Sequence, residues 1–113
     1  MRIALIRGDI DYERFLITDR EGNPVDVDFD EIYFTVKTST KTPVVLFQKK
    51  LSDSQIEKLG DGDYQVKINS SDTDNLAYGN YVFDIQFVYQ DIIKKTFVGV
   101  FAVLDEVTYL QNE

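Results

Sequence analysis

Carboxylates are the side chains in this sequence whose spacing comes closest to suggesting chemistry. Asp26, Asp28 and Asp30 alternate with Val25, Val27 and Phe29, so an extended backbone puts the three acids on one side. Oxygen ligands in that arrangement suit calcium, with Glu31, or Asp72 and Asp74 from elsewhere, completing the set. The run opens like an EF-hand loop, but Glu31 stands where the loop requires glycine and Lys37 where it requires the bidentate glutamate. An EF-hand is excluded. Asp26, Asp28 and Asp30 remain a weak metal candidate, because carboxylate-rich turns are usually just solvated.

The sequence contains no histidine and no cysteine, which removes Ser-His-Asp and Cys-His nucleophiles, thiolate zinc sites and disulfides. Neither a Gly-x-Gly-x-x-Gly turn nor a phosphate loop ending in Lys-Ser/Thr occurs. A carboxylate pair for glycoside hydrolysis would need a cleft that nothing marks. The expectation is therefore a non-enzyme with no cofactor. Arg7-Gly8-Asp9 spells an integrin-binding tripeptide, yet Gly-Asp is an ordinary turn and is read as one. Of the aromatic residues, Tyr33, Tyr78 and Tyr109 fall where they would be free for recognition; most others sit at alternating strand positions that core packing explains.

Charge sets the partner class. The 113 residues carry 12 basic and 20 acidic groups, a net charge of -8, which repels a phosphate backbone and makes nucleic acid an unexpected partner. Residues 61–113 hold 3 basic and 9 acidic groups, so acidity gathers in the second half, where Asp61, Asp63, Asp72 and Asp74 form a candidate acidic surface. No apolar run approaches the roughly 20 residues that span a bilayer, and the first residues are too short for a signal peptide. A soluble, unexported chain without membrane insertion is expected. Its length suits one domain, 1–113, able to bury roughly 65% of its unfolded surface.

The elements that must position these residues are strands. Leu76 to Tyr89 is a turn feeding a long strand, with Tyr81, Phe83, Ile85, Phe87 and Tyr89 on one face and Val82, Asp84, Gln86 and Val88 on the other. Leu76, Gly79 and Tyr81 resemble the Leu-x-x-Gly-x-Tyr corner of immunoglobulin-like sandwiches. Arg2–Arg7 and Tyr12–Thr18 read as two strands or one bent strand, followed by a turn over 19–24. Glu31–Thr38 alternates as a half-buried strand, and Val44–Lys50 as another. Ser52 or Asp53 would cap a short helix through Gln55, Ile56 and Leu59, closed by Gly60. Gly62-Asp63-Tyr64 and Gly79-Asn80-Tyr81 open two strands in the same way, and Ser70–Asn75 is a polar loop with room for one helical turn capped by Ser71 or Asp72. The fold class predicted is all-β: a single antiparallel β-sandwich, immunoglobulin-like, with at most one or two short helical turns.

The last strand, Ile93 to Leu104, turns back from its predecessor near Asp91. Phe97, Val98, Val100, Phe101, Ala102, Val103 and Leu104 make it apolar on both faces, so both need cover, from within or from a partner subunit. Phe97, Phe101 and Val103 are the expected interface residues, and Gly99 marks a bulge or a close backbone approach.

Several of these segments together resemble the N-terminal domain of phage baseplate upper proteins and related small phage or prophage tail proteins. The resemblance runs through Arg7-Gly8-Asp9, Phe15 to Asp19, Gly22 to Val27 and Ile32 to Lys37. It continues in Gly79-Asn80-Tyr81-Val82-Phe83-Asp84-Ile85-Gln86 and Gly99-Val100-Phe101-Ala102-Val103-Leu104. The chain departs from the family pattern at Asp28-Phe29-Asp30-Glu31, where a small Thr-Gly-Ala type turn is usual. The resemblance implies a virion structural protein made in the bacterial host cytoplasm, which docks to other tail or baseplate proteins, as a possible homo-oligomer, and has no catalytic residues. The alternatives are a carbohydrate- or cell-surface-binding β-sandwich module and a calcium-dependent adhesion domain.

Overall fold

The computed structural model describes residues 1–90 and 92–105. Strand β1 (Arg2–Ile6) is followed by β2 (Asp11–Leu16), β3 (Glu31–Lys37), β4 (Phe47–Lys50), β5 (Ile56–Gly60) and β6 (Asp63–Ile68). One helical turn, α1 (Ser70–Thr73), then leads to β7 (Gly79–Tyr89) and β8 (Ile92–Leu104). Five strands in the order β1-β8-β7-β3-β4 form one sheet and three in the order β2-β6-β5 the other. Neighbours are antiparallel except β1, which runs parallel to β8.

This order is that of an immunoglobulin-like sandwich. β2, β6 and β5 take the places of strands B, E and D, and β8, β7, β3 and β4 those of G, F, C and C′. The corner expected at Tyr81 is present: its hydroxyl donates to the Ala77 carbonyl at 2.7 Å. Two residues on, where antibody domains place the second cysteine of their inter-sheet disulfide, stands Phe83. Its ring packs on Phe34 of β3 at 5.3 Å between centroids. That contact joins neighbouring strands of one sheet, so it does not replace the link between sheets that the disulfide makes elsewhere.

Period-two alternation decides what is buried. Ile32, Phe34 and Val36 of β3, Phe83, Ile85 and Phe87 of β7, and Phe101 and Val103 of β8 point into the core together with Phe15, Tyr64, Val66 and Ile68 of the smaller sheet. Gly99 makes the close approach expected of it, since a Cβ there would collide with the Met1 carbonyl and the Phe83 ring. Gly62, at a φ of +66°, is pressed in the same way against the Ile17 carbonyl.

Local readings are corrected at several places. Arg2–Arg7 and Tyr12–Thr18 give two strands in different sheets rather than one bent strand. Ser52–Gly60 is not helical: Leu51–Ser54 turns, with Ser54 at a φ of 61°, and Ile56–Gly60 is a strand. Ile56 is buried, but Leu59 is 43% exposed, so the i, i+3 apolar spacing that suggested a helix face has no core to meet. Val44 and Val45 are exposed, and the strand begins only at Phe47. The helical turn at Ser70 exists, but its N-cap is Asn69. Asp72 instead accepts the Asn69 N–H at 2.7 Å.

Candidate interaction surfaces

The metal candidate disperses. Val25, Val27 and Phe29 face inward along an extended segment, which does put Asp26, Asp28 and Asp30 on the outer side. There Asp28 pairs with Lys58 at 2.7 Å and Asp30 accepts the Gln90 N–H at 2.5 Å. Among the described residues no group of three or more potential ligands converges.

The acidic surface is likewise not one surface. Asp61 and Asp63 flank the β5–β6 turn, whereas Asp72 and Asp74 follow the far end of β6, a strand's length away. Asp63 is engaged by the Arg14 guanidinium. Asp72 is engaged at 2.6 Å by Lys49, whose side chain is only 3% exposed. Because the Asp72 carboxylate also holds the Asn69 N–H, this buried pair fastens α1 to the β4 edge. The Gly8 N–H donating to Thr73 Oγ1 at 2.9 Å fastens α1 to the β1–β2 turn. In that turn Asp9 donates its N–H back to the Ile6 carbonyl, so Arg7-Gly8-Asp9 forms a reverse turn.

Phe101 and Val103 are 0% and 1% exposed, and Phe97 faces the Phe87 ring at 6.0 Å. They lie between the sheets, where a partner subunit does not reach them, and the exposed side of the same strand is the opposite one. Val98 is 58% and Leu104 40% exposed, and Val100 is half-buried. Strand pairing sets Val100 between Val82 and Arg2, and Leu104 beside Ile6. The outer face of the large sheet therefore carries an oblique apolar band. Asp84 and Lys37 border it, across a shallow hollow also walled by Thr35, Val82 and Val98. Burial raises the Asp84 carboxyl above its ordinary value, against the opposing pull of Lys37.

The tyrosines sort differently from expectation. Tyr33 is half-buried on that outer face, Tyr78 lies under the Arg7 guanidinium at 4.2 Å from its ring centroid, and Tyr109 falls outside the described residues. Tyr12 is 54% exposed, with Lys67 Nζ 5.8 Å from its ring centroid. Its alternation with Phe15 and Ile17 would have placed it outside.

A further feature had no sequence signal. Where the β1 and β2 edges meet, a cavity of about 160 Å³ runs inward between Ile3, Phe15, Phe34, Val66 and Ile85, with Glu13 and Arg2 among its polar walls. β2 alternates so that Phe15 is buried, and the same parity turns Asp11 and Glu13 toward the seam. Burial first, then the hydrogen bond and charge of Asp11, pushes the Glu13 carboxyl up to about 7.

Compared with known proteins, the chain matches no family model, no curated protein and no solved structure.

Proposed function

We propose that this chain is a non-enzymatic structural or adaptor module of a phage or prophage tail, of the baseplate type, which works by protein-protein contact. The observation that carries the reading is the resemblance in Gly79–Gln86 and Gly99–Leu104, two segments that fall on the paired strands β7 and β8. The same hairpin supplies Val82, Val98, Val100 and Leu104 to the outer face, and an apolar band on a sheet face is what a docking surface requires. Charged groups at its border, Asp84 and Lys37, would fix the register of a partner more than its affinity. In this reading the module is made in the host cytoplasm and joins other tail proteins, itself included where the assembly is symmetric.

Solution mass by light scattering across a concentration series tests the self-association part. A stable oligomer that dissociates when Val98 is replaced by lysine supports assembly through this face. A strict monomer that also fails to co-assemble with tail proteins of a host phage overturns the reading.

A further inference from the structure

We propose that the cavity at the β1/β2 seam receives a lysine side chain from a partner, offered by an extended segment lying along the free edges of those two strands. Among the described residues both strands end their sheets, so each has one row of backbone N–H and C=O groups without a strand neighbour there, the template that strand addition uses. A second hollow continues the seam between Ala4 to Ile6 of β1 and Asp9 to Asp11. Two recesses along paired edges suit a segment whose alternate side chains point inward.

The chemistry of the occupant follows from the lining. The interior at Ile3, Phe34, Val66 and Ile85 is apolar, and an apolar cavity of about 150 Å³ is large enough to take up benzene. A butylammonium ion is of similar size. A charged head is called for because Glu13 and Asp11 lie side by side: two carboxyls in a partly desolvated place resist joint ionisation unless a cation joins them. A compact ammonium on a flexible stem fits this better than a planar guanidinium.

The groups facing Glu13 leave that role open. Arg14 also lines the cavity, but its guanidinium is engaged by Asp63, and Arg7 donates to the Leu76 carbonyl and lies over Tyr78. Met1, which carries the α-ammonium just before β1, and the exposed Arg2 also line the cavity, while among the described residues β3, β6 and β7 contribute the apolar Phe34, Val66 and Ile85; neither cation is among the groups that shift the Glu13 carboxyl. Among the described residues Glu13 has no ion pair. An inward charge on an edge strand also discourages unwanted pairing, which accounts for Glu13 but not for the space beside it.

The identity of the partner rests on the assembly reading, whereas the pocket is tested on the isolated chain. n-Butylammonium chloride is titrated at pH 6 and pH 8 and followed by methyl NMR, with 1-butanol as the neutral comparison. Saturable shifts at Ile3, Val66 and Ile85 are expected, with a Kd of roughly millimolar order. With Glu13 titrating at about 7, binding to its ionised form is about tenfold tighter at pH 8 than at pH 6. Glu13→Gln is expected to weaken binding at least about tenfold.

Equal binding of butanol, an unaffected Glu13→Gln variant, or no shift at these methyls overturns the proposal. Should Glu13→Gln not fold, Ile3→Phe replaces it: filling the cavity must abolish the Val66 and Ile85 shifts, and their persistence would overturn the proposal equally. A negative titration leaves the solution-mass experiment standing.

Discussion

At the scale of single residues, two tyrosine hydroxyls behave in opposite ways. That of Tyr81 closes the corner onto Ala77 at 2.7 Å, whereas that of Tyr64 is buried with no hydrogen-bond partner among the described residues. A made hydrogen bond contributes about 1 kcal/mol net, and an unmade buried one costs about 1–3 kcal/mol. Tyr81→Phe should therefore lower unfolding stability by about 1 kcal/mol, while Tyr64→Phe should leave it unchanged or raise it. Parallel urea titrations decide between them, and a loss at Tyr64 equal to that at Tyr81 would show that its hydroxyl is satisfied in solution. Glu13 gives a pH dependence whose sign is unusual for a carboxyl. Its folded value of about 7 lies above the ordinary 4.5, so the folded state holds the extra proton between those values. Its contribution is fully present below about pH 4.5 and is lost as pH rises toward 7. Melting temperatures across pH 5 to 8 should fall more steeply for the natural chain than for Glu13→Gln; parallel curves would refute this.

At the scale of elements, Gly99 is the position where β8 admits the Phe83 ring and the Met1 carbonyl. Gly99→Ala must displace one of them, and overpacking of this kind costs about 1–3 kcal/mol. Gly8→Ala is a poor comparison, because Gly8 has open space but a φ of +84°. Gly60→Ala is the fair control: Gly60 has open space and no left-handed φ, so chemical denaturation should separate the two variants by at least about 1 kcal/mol. Sequence alone announced Gly99 because a strand has few other uses for glycine. β3 and β7 were legible because strict alternation over seven or more residues has a single physical solution, and β8 as an apolar run that follows β7 across a turn. β5 was not: Ile56, Leu59 and Gly60 imitate a helix face and cap, and only pairing with β6 reveals the strand. Alternation also could not tell which face of β8 lies inward, because both are apolar. That ambiguity put the expected interface on Phe97, Phe101 and Val103, which face the core, while Val98, Val100 and Leu104 face outward. The seam cavity left no trace at all, as it depends on edges from two sheets whose meeting no local pattern encodes.

At the scale of the whole molecule, the two faces of β8 let folding be tested apart from the proposed assembly. Phe101 is fully buried and lies 5.6 Å from the Phe47 ring and 6.4 Å from that of Phe34, so Phe101→Asp places an unpaired carboxylate in the core. Such a change costs several kcal/mol, comparable with the whole stability of a domain this size, and the variant should be unfolded by circular dichroism. Val98 is exposed on the other side of the same strand, where substitutions usually change stability by less than about 0.5 kcal/mol. Val98→Lys should keep the natural melting temperature and lose self-association, because its ammonium, set opposite Asp84, puts a charged pair where the docking band would be covered, and covering it costs the desolvation of both charges. The contrast makes the test specific: both properties failing together at Val98 would mean that the outer face stabilises the monomer. Assembly surviving Val98→Lys, with folding intact, would remove this face from the assembly and leave the β1/β2 seam as the surface through which the module meets its neighbours.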